Sequence, residues 1–464
     1  MIEINDIKSV YLIGIGGIGM SALARYFNSL GKTVGGYDRT ATILTGELQA
    51  EGIEVRYTDD VEDVPACFKD KSTTLVVFTP AIPANHSEYG FFVKGGFTVM
   101  KRAEVLGLIT RSRDGICVAG THGKTTTSGL IGHILRSSSV GCSAFLGGIT
   151  NNYNTNYWSN PESPFVVVEA DEFDRSFLHL SPHLALITSM DADHLDIYGN
   201  SKQVEEAFNL FAQKIQPGGA LVIKNGLALD EESLDEDLEV FTYGVDDREA
   251  DFAAVNIKLV DELYRFDLTT PFGNIRNLTL GIPGMHNLEN AVGASALALL
   301  AGVEDVELRD ALESYQGNRR RFQYRIRQKG FCFIDDYAHH PAEISAMIGS
   351  LRKTYQGRKL TVVFQPHLFS RTRDFAADFA SALDLADRVL LLDIYPAREL
   401  PIEGVSSAML LGLMKNKNGR LVDADSLFEA VVEEPLDLLV TMGAGNIDAL
   451  VPDLEEKLMN FISK

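Results

Sequence analysis

The stretch Gly120-Thr121-His122-Gly123-Lys124-Thr125-Thr126 places two glycines, a lysine and several hydroxyls between an apolar run, Gly115-Ile116-Cys117-Val118-Ala119, and a helical pattern opening at Thr127-Ser128-Gly129-Leu130-Ile131. A glycine-rich turn from strand to helix aims unpaired backbone N–H groups at one point, where the helix dipole also favours negative charge. Lys124 is then set to reach the β- and γ-phosphates of a nucleotide, and the Thr125 hydroxyl to meet Mg²⁺. The strict phosphate-loop pattern wants a further glycine five residues before Gly123, where Val118 stands, so this is a shortened form, G-T-x-G-K-T. The chemistry expected is ATP binding through Gly120 to Thr126.

Carboxylates follow at two further strand ends. Glu169-Ala170-Asp171-Glu172 directly follows the apolar run Phe165-Val166-Val167-Val168. A carboxylate there is where a hard cation bridging phosphates belongs, although a solvated acidic loop has the same composition. Asp191-Ala192-Asp193-His194-Leu195-Asp196 repeats the placement after Leu184-Ala185-Leu186-Ile187, with His194 either a second metal ligand or structural. In Gly284-Met285-His286-Asn287-Leu288-Glu289-Asn290, the Asn287 and Asn290 amides suit adenine, while propensity alone favours a helix cap. Arg319-Arg320-Arg321 is the densest basic cluster, a phosphate clamp or a surface run. Asp335-Asp336-Tyr337-Ala338-His339-His340-Pro341 and Gln365-Pro366-His367-Leu368-Phe369-Ser370-Arg371-Thr372-Arg373-Asp374 each follow a strand. Arg371 and Arg373 offer planar forks for a carboxylate, and helix capping is the plainer alternative for either loop.

The elements that must hold these residues alternate strand and helix. Near the start, Val10-Tyr11-Leu12-Ile13 runs into Gly14-Ile15-Gly16-Gly17-Ile18-Gly19, then a helix over 20–30, then Thr33-Val34-Gly35-Gly36-Tyr37-Asp38. That is a βαβ unit with G-x-G-x-x-G and a following acidic residue, which on its own reads first as an NAD site. The pattern predicts an α/β fold of parallel sheets in three domains, 1–104, 105–322 and 323–464, with a β-rich patch between Asp251 and Leu280 and a helix from Asn290 to Ala301. At 464 residues the chain exceeds one hydrophobic core. Its formal charge of −22, from 42 Lys+Arg and 64 Asp+Glu, argues against non-specific nucleic-acid binding. Cys67, Cys117, Cys142 and Cys332 are scattered and read as free thiols of a reducing compartment. No segment has the length of a membrane span and the first residues lack a signal pattern, so the expectation is a cytoplasmic protein of unknown oligomeric state with no membrane partner.

Taken together, GIGGIGM at Gly14 to Met20, GTHGKTT at Gly120 to Thr126, EADE at Glu169 to Glu172, DHLDIYG at Asp193 to Gly199, HNLEN at His286 to Asn290, RRF at Arg320 to Phe322, DDYAHHP at Asp335 to Pro341 and SRTRD at Ser370 to Asp374 resemble, in order and spacing, the Mur ligase family of ATP-dependent amino-acid ligases of peptidoglycan synthesis. The resemblance covers essentially the whole chain. It implies a Rossmann-like N-terminal domain, a central P-loop domain with a small added β-sheet and a C-terminal Rossmann-like domain, for a UDP-sugar, ATP and an amino acid respectively. It reassigns Gly14, Gly16, Gly17, Ile18, Gly19 and Asp38 from NAD to the uridine diphosphate of the substrate. The same physical device serves both, a pyrophosphate at a helix N-terminus.

The resemblance further implies that Lys124 neutralises phosphate and that Thr125 and Glu169 hold Mg²⁺, with His194 on a second metal. Arg320 and Asp335 approach the nucleotide, Asn287 and Asn290 hold adenine, Arg371 and Arg373 grip the amino-acid carboxylate, and His340 assists orientation or proton removal. Other branches carry a carbamylated lysine beyond the metal-binding histidine; here that register holds Phe208 and Asn209. The absence matches the branch that adds L-alanine to UDP-N-acetylmuramate, and Ser176-Phe177-Leu178-His179-Leu180 is similar to that branch rather than to the tripeptide-recycling one. Rival readings are an NAD-binding oxidoreductase and a P-loop ATPase that drives motion.

Overall fold

The computed structural model describes residues 4–79, 82–83, 85–191, 198, 200–397, 399–415 and 417–463. The chain divides into two compact units, one of Met1–Asn256, Phe266–Leu278 and Glu289–Tyr315, the other of Ile257–Arg265, Thr279–Leu288 and Gln316–Lys464.

In the first unit, the N-terminal sheet runs in the order Glu54–Arg56, Thr33–Tyr37, Ser9–Ile13, Thr74–Phe78, Thr98–Lys101. Every pairing is parallel, so crossover helices cover both faces and the strands read as unbroken apolar runs. Alternation along Ser9–Ile13 shows this directly: Val10 and Leu12 join one buried cluster, Tyr11 and Ile13 another. The first helix spans Ile18–Ser29, two residues earlier than the pattern places it, with Gly17 as its cap. Gly14 takes φ +88°, and a Cβ there would come within 2.7 Å of Thr79 Cγ2, so the turn requires glycine twice over.

The larger sheet has the order Gly273–Thr279, Leu263–Thr270, Phe252–Val260, Glu239–Val245, Ala220–Lys224, Leu184–Ile187, Asp114–Ala119, Phe165–Glu169, Ser143–Thr150, Thr155–Trp158. The strands expected at 165–168 and 184–187 are both present, and the β-rich patch holds three strands. The edge pair Ser143–Thr150 and Thr155–Trp158 has no counterpart in the sequence reading. Its alternation is broken by Gly147, Gly148 and an irregularity in register between Phe145 and Thr150. The helix expected from Asn290 begins at Met285, and a further helix, Asp305–Ser314, follows it.

The second unit is built on a six-stranded sheet, in the order Gln323–Gln328, Phe331–Asp336, Leu438–Met442, Leu360–Phe364, Arg388–Leu391, Gly419–Leu421. Only the first pair is antiparallel. Ile334, Val362, Val389 and Val440 pack in one core layer, and Phe333, Val363, Leu390 and Leu439 in the other. Such a doubly covered sheet places ligand-binding loops beyond the carboxyl ends of its strands.

Candidate active site

The strand Asp114–Ala119 delivers Gly120 at φ +138° and Gly123 at φ +83°, and the helix Lys124–Ser137 starts on the next residue. Both glycines are obligatory. A Cβ on Gly120 would lie 2.0 Å from Thr188 Oγ1, and one on Gly123 would lie 2.6 Å from Asn290 Oδ1. The loop is braced from the neighbouring strand end: Thr121 Oγ1 lies 2.9 Å from Ser189 Oγ, which accepts the His122 N–H at 2.8 Å. His122 Nε2 stands 3.5 Å from Asp191 Oδ2. Thr188 and Ser189 were not singled out by sequence reasoning; their only signal is that they follow a strand.

Lys124 is folded back onto the loop, donating to the Gly120 carbonyl at 2.6 Å and pairing with Glu172 Oε2 at 2.8 Å. Burial works against its ammonium, yet the Glu172, Asp171 and Glu169 carboxylates outweigh that and raise the pKa above the ordinary lysine value. Burial likewise pushes the Glu172 carboxyl up, with Lys124 opposing. Thr125 Oγ1 donates to Glu169 Oε1 at 3.2 Å, and Glu169 Oε2 accepts from the Gly147 N–H at 3.1 Å. A Cβ on Gly147 would lie 2.3 Å from both Glu169 oxygens, so this glycine gives the carboxylate its place.

The donor set around Thr125 and Glu169 is all hard oxygen and carries excess negative charge. It fits Mg²⁺, which takes one or two protein oxygens together with substrate phosphates. Among the described residues no group of three or more His, Cys, Asp or Glu could form an all-protein cage. His194 lies outside the described residues.

Beyond Glu172 the chain turns through Asp174 and Arg175 at φ 55° and 53°, a left-handed pair of non-glycine residues inside Phe173–His179. Asp174 is held by Lys101 at 2.7 Å. Arg102, which sequence reasoning passed over, stands 3.6 Å from Asp171 Oδ2, and its Nη1 fills the position a Cβ on Gly19 would take. A cavity of about 270 Å³ is lined by Gly17, Gly19, Arg102, Gly147, Glu169 and Asp171. The N-terminus of the glycine-loop helix and the carboxylate beside Thr125 therefore face one space. Asp38 accepts from the Gly16 N–H at 2.8 Å and so helps to shape the glycine loop.

In the second unit, Asp335 and Asp336 are the last residues of their strand. Arg320, at φ 58°, donates to Asp335 Oδ2 at 3.2 Å and to the Gly443 carbonyl at 2.6 Å. Asp336 accepts from the Phe322 and Ala338 N–H groups at 2.7 and 2.8 Å, and burial pushes its carboxyl up to about 6 against those bonds and Arg321. His340 caps the helix Pro341–Thr354, its Nδ1 accepting from the Ala342 N–H at 3.4 Å. The capping alternative thus holds for this residue. His339 Nδ1 lies 3.0 Å from the Tyr337 carbonyl and 3.3 Å from Glu343 Oε2.

Arg371 and Arg373 fall in the short helix Phe369–Asp374. Arg371 is buried, whereas Arg373 is half-exposed and pairs with Asp374 at 2.7 Å. Residues two apart on a helix do not share a face, so the fold does not bring the two forks together. Asn287 sits within the first turn of its helix rather than before it, donating to the Pro283 carbonyl at 2.6 Å. Asn290 lies at the phosphate loop in the first unit, against Gly123.

Three family profiles match in chain order: the Mur ligase family catalytic domain over residues 9–114, the Mur ligase middle domain over 118–298 and the Mur ligase glutamate ligase domain over 320–445. Full-length relatives agree. A UDP-N-acetylmuramate–L-alanine ligase of Christiangramia forsetii is 49% identical over 461 residues, covering 99% of this chain and 100% of that one.

The chain belongs to the Mur ligase family.

The ligase of the same name from Phocaeicola vulgatus is 47% identical over 453 residues, 97% of this chain and 98% of its own. Among solved structures, the UDP-N-acetylmuramate–alanine ligase of Thermotoga maritima superposes with a TM-score of 0.81 at 26% identity, covering 98% of this chain and 100% of that one. The expected three-domain Mur ligase α/β fold is therefore the fold of this protein. Among the described residues no helix is long and apolar enough to cross a membrane.

Proposed function

We propose that this Mur ligase joins L-alanine to the lactyl carboxylate of UDP-N-acetylmuramate, using ATP and releasing ADP and phosphate. One observation carries the reading beyond the names of its relatives. The cavity that receives the glycine-loop helix N-terminus is the cavity that receives Glu169, whose carboxylate holds the Thr125 hydroxyl at the start of the phosphate-loop helix. A nucleotide-sugar anchored by its pyrophosphate at Gly17 to Gly19 can thus present a carboxylate to the γ-phosphate of ATP. An NAD reading leaves the carboxylates and Arg102 without a purpose, and a motor reading leaves the glycine loop without a ligand. The tripeptide-recycling alternative is not favoured: the full-length relatives at 45–49% identity carry the L-alanine name.

A carboxylate is a poor electrophile, so the γ-phosphoryl group passes to it first, giving an acyl phosphate, and the amine of alanine then displaces phosphate. Such transfer is mainly positioning and charge neutralisation. Lys124 exchanges Glu172 for phosphate oxygens. Thr125 and Glu169 are the residues that would hold Mg²⁺, which supplies further neutralisation when bound. Arg102 orients the nucleotide-sugar, and the buried Arg371 is the principal anchor for the alanine carboxylate. Domains of 1–104, 105–322 and 323–464, for UDP-sugar, ATP and amino acid, accord with the three sheets and three profiles, and we assign the reaction to the cytoplasm. The test is phosphate release with ATP, UDP-N-acetylmuramate and a panel of amino acids. Release should need both the nucleotide-sugar and L-alanine; release with neither, or a preference for a tripeptide, would refute the reading.

A further inference from the structure

His339 is the histidine of the second unit whose surroundings fix a reactive tautomer. The Tyr337 carbonyl 3.0 Å from Nδ1 has no proton to give, and the Glu343 carboxylate at 3.3 Å accepts as well, so Nδ1 carries the hydrogen and Nε2 the lone pair. Among the described residues Nε2 makes no hydrogen bond, and the side chain keeps 19% exposure at the carboxyl edge of the sheet. A carboxylate behind an imidazole orients the ring and stabilises the cation that forms on proton uptake, the device of hydrolytic triads. His340, next in the chain, spends its Nδ1 on the helix cap.

The charged and titratable groups facing His339 are Glu343 on the following helix, Arg371 after the next strand, Arg321, and the rings of Tyr337 and His367, whose centroids lie 5.2 and 6.2 Å away. Burial pulls the imidazole down to about 4, opposed by Glu343 and reinforced by Arg371 and Arg321, so the ring is neutral at working pH. An alanine carboxylate on Arg371 would cancel part of that cationic field and make the ring more basic once the amino acid is seated.

We propose that His339 is the general base that takes the proton shed by the alanine amine. This rests on the ligase reading above. Alanine loses one proton to solvent before attack. Its nitrogen lone pair then forms the C–N bond at the acyl carbon, the bond from that carbon to the phosphate oxygen breaks with its electron pair leaving on phosphate, and the second proton passes from nitrogen to Nε2.

The test variant is His339→Asn, whose amide N–H takes the place of Nδ1–H toward Tyr337 and Glu343 but has nothing at Nε2. Two acceptors are compared on the full-length enzyme with ATP and UDP-N-acetylmuramate. L-Alanine needs the base; hydroxylamine, a weakly basic α-nucleophile, gives its proton to water and captures the acyl phosphate as a hydroxamate. Alanine ligation should fall about a hundredfold or more, while hydroxamate formation stays within about threefold of wild type. Added imidazole should restore part of the alanine rate in His339→Gly. Alanine ligation retained in His339→Asn, or both acceptors failing together, overturns the proposal. A wild type that makes no hydroxamate would strike the acyl-phosphate step itself, and the proposal with it.

Discussion

The phosphate loop and the carboxyl edge of the second unit's sheet assemble their charged groups in opposite ways. At the loop, Lys124, Thr125 and both glycines come from one strand-turn-helix, and the carboxylates Glu169 and Glu172 arrive from a single adjacent strand. Three carboxylates stand about the Lys124 ammonium, with Arg102 3.6 Å from Asp171, leaving a deficit of positive charge that a metal ion would fill. At the other site, Asp335, Asp336, His339, Arg371 and Gly443 come from three strand ends far apart in the chain. Each carboxylate there already has a guanidinium or backbone N–H partner. The first site leaves charge for ligands to complete; the second has its charges already balanced, which suits the small zwitterion proposed for it.

The largest expected effect breaks the first arrangement. Lys124→Ala should reduce ligation by on the order of a hundredfold or more. It also strands Glu172 buried without its partner, which costs about 3–5 kcal/mol of stability. Lys124→Met combined with Glu172→Gln should regain most of that stability in a denaturant melt and none of the activity. Recovery of turnover in the double variant would mean that Lys124 serves the fold and not the phosphate.

The second arrangement predicts a pH dependence. Asp336 titrates near 6 in the fold against an ordinary 3.8, so between those values the folded protein binds the extra proton and stability falls as pH rises. The shift corresponds to on the order of 3 kcal/mol, present below about pH 4 and lost above about pH 6. Asp336→Asn removes the titrating group, so the stability of wild type relative to the variant should decline by that amount from pH 4 to 6.5 in urea unfolding. A difference independent of pH would show that Asp336 stays ionised throughout.

The arginine pair gives the finest distinction. Arg371→Lys should raise the KM for L-alanine about tenfold or more, because a buried planar fork is lost, with the KM for ATP little changed. Arg373→Lys, half-exposed beside Asp374, should move it less than about threefold. Equal effects would mean that the helix Phe369–Asp374 unwinds to let both forks meet one carboxylate.

Legibility followed the same division. The phosphate loop, the glycine loop and most parallel strands were readable because each is a continuous signal: glycines where φ is positive, and apolar runs where both faces of a strand are covered. The strand Ser143–Thr150 and its short edge partner Thr155–Trp158 were not, since Gly147 breaks the first strand's pattern to make room for the Glu169 carboxylate. Thr188, Ser189 and Arg102 were overlooked because no local pattern marks a hydroxyl or guanidinium that braces a loop from another strand.

By itself the sequence determined the α/β architecture, the ATP loop and the family, since these rest on local backbone requirements and on motifs in a fixed order. Tertiary structure decided which partner each member of a motif takes. Asp38 accepts from the Gly16 N–H, His340 caps a helix, and Arg371 and Arg373 leave one helix in different directions. The physical reason is that a side chain's role is set by what stands within hydrogen-bonding distance of it, and in this fold those partners come from strands that only the sheet order brings side by side.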